Sequence, residues 1–211
     1  MKKRIILIAF AMMTVFTAKA QLRTITPRSV FKVPNISHAT YKSGEYSNED
    51  NELYWNLHCC PYTFSGADKV VASSSLSSQG SASYHVSNIN DGNHEKAWVE
   101  GVAGHGIGQW VEFQGISDVH IGTINILNGY VKSDKAWSEN ARVKRLKVYC
   151  NDKPICILEL QNSRSLQTFY VADLLENYSY INKLRFEILE VYSGTKYQDT
   201  VISEINFTNV V

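Results

Sequence analysis

Lys183-Leu184-Arg185-Phe186-Glu187-Ile188 decides the fold class. Charged and apolar side chains alternate with a period of two, which gives an extended chain one buried face and one wet face. A surface helix would instead repeat its apolar residues at three and four positions. The same alternation places Leu146 and Val148 between Arg145, Lys147 and Tyr149, and sets Ser203, Ile205 and Phe207 against Ile202, Glu204 and Asn206. Cys156, Leu158 and Leu160 continue it beyond Asn151-Asp152-Lys153-Pro154, so 145–150 and 155–160 read as a hairpin. Val111 with Phe113, His120 to Leu127 and Leu166 to Val171 complete about seven strands between residues 108 and 208. Helical periodicity is nearly absent. The pattern predicts an all-β protein, an antiparallel β-sandwich or jelly roll.

The chain upstream is different. Met1-Lys2-Lys3-Arg4 is a basic start, Ile5 to Phe16 is almost wholly apolar, and Ala18-Lys19-Ala20 offers small residues at a cleavage point. Residues 1–20 read as a secretory signal peptide, too short for a membrane span, and predict a secreted or periplasmic protein cut near Ala20. The 211 residues carry a formal charge of +1 from 21 basic and 20 acidic side chains. Loss of Lys2, Lys3, Arg4 and Lys19 leaves 191 residues with 17 basic against 20 acidic, a balance of −3. That removes the basic excess of a nucleic-acid binder, and no second apolar stretch implies membrane insertion. With 44% hydrophobic and 19% charged residues, the chain can bury a core and is not disordered. Residues 21–70 are polar but hold Tyr41, Tyr46, Tyr54, Trp55, Tyr62 and Phe64. They read as an N-terminal extension, partly packed near Leu53 to Phe64, ahead of a β-sandwich domain at 71–211. Ser73 to Ser83 reads as a polar loop leading into that domain.

Export permits disulfides among Cys59, Cys60, Cys150 and Cys156. Neighbours Cys59 and Cys60 are poorly placed to bridge each other. Cys150 and Cys156 flank the hairpin turn, and two readings stand: a bridge, if the loop has three or five residues, or buried free thiols. Gly101, Gly104, Gly106 and Gly108 crowd together, but a strand follows them and the lysine of a phosphate loop is missing. They read as a tight loop whose backbone passes close to a neighbour.

Three blocks carry a resemblance. The first is Ala97-Trp98-Val99-Glu100-Gly101 with Gly106-Ile107-Gly108-Gln109-Trp110-Val111-Glu112-Phe113. The second is Asn128-Gly129-Tyr130-Val131-Lys132-Ser133 with Asn140-Ala141-Arg142-Val143-Lys144-Arg145-Leu146-Lys147-Val148-Tyr149. The third runs from Glu190-Val191-Tyr192-Ser193-Gly194-Thr195-Lys196-Tyr197-Gln198-Asp199 to Ile205. In order and spacing they resemble the NADase-type glycan-binding domain, a discoidin-like (coagulation-factor type C) family of galactose-binding-like jelly rolls, over about Ala72 to Phe207. The resemblance implies a carbohydrate-binding module without catalysis or cofactor. Nothing in the chain corresponds to the catalytic domain of the family's toxin member.

Sugars present an apolar C–H face to aromatic rings and hydroxyls to planar polar groups. Trp98, Tyr130, Trp137, Tyr192 and Tyr197 supply rings, and Glu100, Lys132, Asn140, Arg142 and Asp199 supply polar groups, as the candidate glycan site. Trp98 and Trp110 also fit as core rings, Trp110 more so, and Arg142 could pair with Glu190 or Asp199 to pin two loops. Related jelly rolls hold a structural calcium, which the resemblance maps to Asp91 and Glu204, but Lys96 stands at the threonine position of that pattern. An ammonium cannot ligate calcium, so Lys96 is read as replacing the ion as counter-charge to Asp91 and Glu204; the alternative is Lys96 pointing to solvent with calcium held by backbone carbonyls. Two rival functions remain: a protein-interaction or adhesion module using the same loops, and a glycoside hydrolase, which needs two carboxylates across a cleft.

Overall fold

A computed structural model describes residues 21–33, the backbone of 63–64, and residues 67–116 and 120–209. The signal segment 1–20, the Cys59-Cys60 pair and the Leu53–Tyr62 stretch lie outside the described residues.

The seven expected strands form as β6 (Trp110–Gln114), β7 (Ile121–Asn128), β8 (Ala141–Cys150), β9 (Lys153–Glu159), β10 (Ser165–Tyr170), β11 (Lys183–Tyr192) and β12 (Thr200–Asn209). Five short strands precede them: β1 (Thr24–Ile25), β2 (Ser29–Lys32), β3 (Thr63–Phe64), β4 (Lys69–Ala72) and β5 (Trp98–Val99). One layer runs β2-β10-β7-β12 and the other β8-β11-β6-β4, with β9 on the outer side of β8. Phe113 of the second layer meets Phe207 of the first edge-on at 5.0 Å, and Phe186 packs against both. The aromatic trio fills the middle of a fully buried apolar core shared by the two layers.

Three features depart from the expected pattern. The sandwich is not wholly antiparallel: β12 enters beside β8 in parallel, with Thr200 opposite Ala141 and Val201 opposite Arg142, before it crosses to pair with β7. Secondly, β12 has no wet face. Ile202, Glu204 and Asn206 are buried like Ser203, Ile205 and Phe207, because β5 and the 3-10 turn Val86–Asn90 cover the side that alternation assigned to water. Thirdly, the start of the extension belongs to the sandwich: β1 pairs with β9 and β2 with β10, and β3 pairs with the end of β12.

The hairpin turn at Asn151-Asp152 has positive φ at both positions, 46° and 67°, the type I′ geometry that suits twisted strands. With this two-residue turn, alternation alone would set the two cysteines on opposite faces. A bulge between Val148 and Tyr149 shifts the register, so that Cys150 lies opposite Lys153 and Cys156 opposite Val148. Both thiols enter the core, but they are offset along the hairpin and remain free. Of the two readings left open for Cys150 and Cys156, the structure takes the buried free thiols, and the possible bridge is set aside. Burial pushes Cys150 up to about 11 and Cys156 to about 12, which keeps both protonated.

Candidate functional site

One end of the sandwich gathers the exit of β7 and the entries of β8 and β12. The parallel pairing there sets Asn140 and Asp199, the residues just before Ala141 and Thr200, side by side, and the Ala141 N–H donates to the Asp199 carbonyl at 3.1 Å. Gly129 donates to the Val201 carbonyl at 3.1 Å, which brings Tyr130 to the same mouth. A helix missed by periodicity, α1 (Asp134–Glu139), is capped by Ser133, whose hydroxyl accepts the Ala136 N–H at 3.1 Å. The Glu139 carbonyl at its end accepts the N–H groups of Lys196 (3.1 Å) and Tyr197 (2.8 Å), docking the 193–199 loop onto the helix.

The result is a pocket of about 240 Å³. Its wall carries Tyr84, Tyr130 and Tyr197, its polar rim Gln79, Glu139, Asn140 and Asp199, and its apolar side Leu76 and Val99. No lysine or arginine is among its lining residues. Tyr197 is 42% exposed, with the Lys196 ammonium 4.7 Å from its ring centroid. Burial, with Tyr84 and Glu95 nearby, raises the Tyr130 phenol above its ordinary range, so Tyr130 stays a neutral hydroxyl.

Tyr130, Asn140, Tyr197 and Asp199 from the sequence-derived set thus share one pocket, and the other six are not among its lining residues. Trp98 is fully buried in the core with its indole N–H donated to the Ser74 carbonyl at 2.9 Å, so its ring cannot meet a ligand. Glu100 is fully buried; its carboxylate accepts the N–H groups of Val102 (2.8 Å) and Thr200 (3.2 Å). Desolvation raises its pKa despite those bonds. It ties the glycine-rich loop to β12, and a Cβ at Gly106 (φ +62°) would fall 2.5 Å from its side-chain carbons. Arg142 lies over the Trp137 ring at 4.3 Å and donates to the carbonyls of Trp137, Asn140 and Ser193 and to Asn162 Oδ1. It does pin loops together, but through carbonyls. Glu190 is held instead by Lys144 (3.0 Å) and Arg145 (2.9 Å). Trp137 donates its indole N–H to the Asn128 carbonyl, and Tyr192 its hydroxyl to Leu160. Lys132 is exposed on the turn after Val131, away from the pocket lining. Trp110, expected in the core, is half-buried on the outer face of β6 beneath the Arg185 guanidinium.

Sequence reasoning missed Gln79, Tyr84 and Glu139. Glu139 had a readable signal, since Ser133 followed by Asp134 and a run of helix formers marks a capped helix. Gln79 and Tyr84 come from the serine-rich segment, which carries no motif.

The Asp91–Glu204 cluster does not fit calcium. Glu204 is 2% exposed, and the backbone N–H groups of Gly92 and Asn93 are directed at its carboxyl, so the loop presents donors there rather than oxygen ligands. Asp91 holds the Lys96 ammonium at 2.7 Å, and among the described residues no three His, Cys, Asp or Glu side chains group as a metal site. Lys96 reaches Asp91 from the solvent side, whereas Glu204 is held by the loop amides and Asp91. Adding millimolar calcium, or EDTA, is expected to leave the melting temperature unchanged; a calcium-dependent rise in thermal unfolding would refute this.

Architecture and mouth together define a discoidin-like jelly roll with a loop-built pocket at one end. The chain belongs to the NAD glycohydrolase translocation F5/8 type C domain family, whose model matches residues 61–208. Among solved structures it is similar to the CBM32-1 and CBM32-2 domains of Clostridium perfringens ZmpB, at 12% identity and a TM-score of 0.53, covering 92% of this chain and 43% of that one. It is also similar to CBM32-3 from a family 31 glycoside hydrolase of Clostridium perfringens, at 14% identity and a TM-score of 0.52, covering 72% of this chain and 97% of that one. At these identities the likeness is one of fold. No curated protein matches the chain.

Proposed function

We propose that the protein is an exported, non-catalytic glycan-binding module that takes a neutral sugar in the pocket of Tyr84, Tyr130 and Tyr197. The observation that carries this is the composition of the wall: three phenol rings facing two carboxylates and two amides, with no basic residue in the lining. Rings cover the C–H face of a pyranose, and Glu139, Asn140, Asp199 and Gln79 accept or donate to its hydroxyls. The Lys196 ammonium beside the Tyr197 ring and Glu139 offsets one of the two lining carboxylates, and the remaining negative charge of the mouth disfavours acidic sugars. The CBM32 names of the similar structures support a carbohydrate ligand, and the basic-apolar start of the chain supports export.

A glycan array tests the reading. Binding is expected on neutral or amino sugars and to be weaker on sialylated or uronic-acid glycans. Tyr197→Ala, a truncation at an exposed ring, is expected to weaken the best hit about tenfold while the melting temperature holds. An empty array overturns the reading and favours the protein-interaction alternative. Release of reducing sugar from a bound glycan overturns its non-catalytic part.

A further inference from the structure

A second, larger cavity, of about 710 Å³, lies at the opposite end of the sandwich. It opens between the start of β7 and the helix α2 (Ala172–Leu175) with the 176–181 loop that follows it. Ile121, at the first position of β7, lines it, whereas Tyr130 of the first pocket lies just beyond the last position of that strand. Eight residues at about 3.3 Å each separate the two mouths by about 25 Å.

Its composition repeats that of the first pocket. Three tyrosines (Tyr170, Tyr178 and Tyr180) stand with two carboxylates (Asp173 and Glu176) over a floor of buried apolar residues, and again no lysine or arginine is among the lining residues. Tyr180 is 55% exposed and offers its ring to a ligand, whereas Tyr170, 42% exposed, has the Arg28 guanidinium over one face and offers the other. The nearest guanidiniums are engaged on the rim: Arg23 with Asp173 at 2.5 Å, and Arg28 over the Tyr170 ring at 5.6 Å. The loop that carries Tyr180 is held in place. Asn151 at the β8–β9 turn donates to the Tyr180 carbonyl at 2.8 Å and accepts the N–H groups of Asn182 (2.9 Å) and Lys183 (3.1 Å). The Tyr178 N–H closes the end of α2 on the Leu175 carbonyl at 2.9 Å. A ring platform fixed before binding loses little entropy when a ligand arrives.

The geometry points to a second saccharide site at this end, for a neutral sugar, which makes the domain a two-ended glycan binder. A lipid tail would have to desolvate Asp173 and Glu176, and an anion would meet those two carboxylates, with Arg23 already paired to Asp173 and only Arg28 and the lining His120 at hand. A neutral sugar satisfies both the rings and the carboxylates. The two sites face apart, so each engages a different glycan chain or a different part of one, and binding to a multivalent surface gains by avidity. The inference takes its ligand class from the function proposed above but stands on separate residues.

Galactan, mannan, glucan and xylan fragments are titrated by calorimetry into the full-length protein, Tyr180→Ala, Glu176→Gln and Tyr197→Ala. All three positions are exposed or line a mouth, and unchanged thermal unfolding confirms that the variants fold. At least one fragment is expected to lose about tenfold or more in affinity in Tyr180→Ala and Glu176→Gln while Tyr197→Ala binds it like wild type. If every fragment bound by wild type is bound undiminished by Tyr180→Ala, the second site is refuted; a loss confined to Tyr197→Ala then leaves the first pocket standing. If a fragment is lost only through Tyr180→Ala and none through Tyr197→Ala, the second site stands and the first reading fails. If no fragment binds wild type, both fail together.

Discussion

Arg142→Ala is expected to lower the unfolding free energy by about 2–3 kcal/mol, measured by urea denaturation, and to abolish ligand binding through loss of the pocket's shape. Arg142 is 6% exposed and donates to three backbone carbonyls and to Asn162 Oδ1. Its acceptors come from α1 and the residues just after it (Trp137, Asn140), from the loop after β9 (Asn162) and from the loop after β11 (Ser193). Removing the guanidinium leaves the half-buried Trp137 and Asn140 carbonyls without this donor, frees the exposed Ser193 and Asn162 from the clamp, and takes the cover off the Trp137 ring. Lysine keeps the charge but has neither the planar fork nor the stacking face, so Arg142→Lys is expected to recover only a minor part of the loss. A direct sugar contact would behave differently, with affinity falling at unchanged stability; that outcome would return Arg142 to the binding site.

The contrast between Arg142 and its neighbour Asn140 shows where sequence reading stops. Alternation found the strands because water on one side and core on the other leave a period-two mark, as in Leu184, Phe186 and Ile188, all fully buried. It misread β12, where a second covering element removes the wet face, and it could not see the bulge beside Tyr149 that lets Cys150 and Cys156 both face inward across a two-residue turn. The motif blocks supply several of the residues that line the pocket at one end of the sandwich. Within a block, however, adjacent residues point in different directions. Asn140 lines the mouth, while Arg142, two residues on, turns under it; Trp98 goes to the core, and Tyr84, in no block, reaches the mouth through the N–H···O bond from Val99 to its carbonyl. Ring type and polarity alone therefore cannot separate a sugar contact from a loop clamp. What separates them is which polar atoms are already satisfied: the Trp98 and Trp137 indoles, the Tyr192 hydroxyl and the Arg142 fork all have backbone partners, and Asn140, whose Nδ2 donates to the Ala136 carbonyl at 2.8 Å, offers a ligand its Oδ1.

Glu204 gives the second large effect, and its sign depends on pH. Its carboxyl is almost fully enclosed, Oε1 has no hydrogen-bond partner, and burial, with the Asp91 carboxylate beside it, raises its pKa well above the usual 4.5. A group whose folded pKa is raised contributes stability that is fully present below its unfolded pKa. That contribution is lost as pH rises towards the folded value. From about pH 4 to neutrality Glu204 therefore makes the wild type progressively less stable relative to a variant that cannot ionise. Glutamine supplies the same shape, an oxygen for the Gly92 and Asn93 amides and an N–H for Asp91. Glu204→Gln is expected to match wild type near pH 4 and to exceed it by a margin that grows towards pH 7. Glu204→Ala has no such compensation. It opens a buried space and strands the loop amides, costing about 2–4 kcal/mol at pH 4. Urea unfolding at pH 4, 5.5 and 7 checks both. A Glu204→Gln curve that falls below wild type as pH rises would mean that the carboxylate is ionised and needed, and a bound cation would then be the first thing to look for.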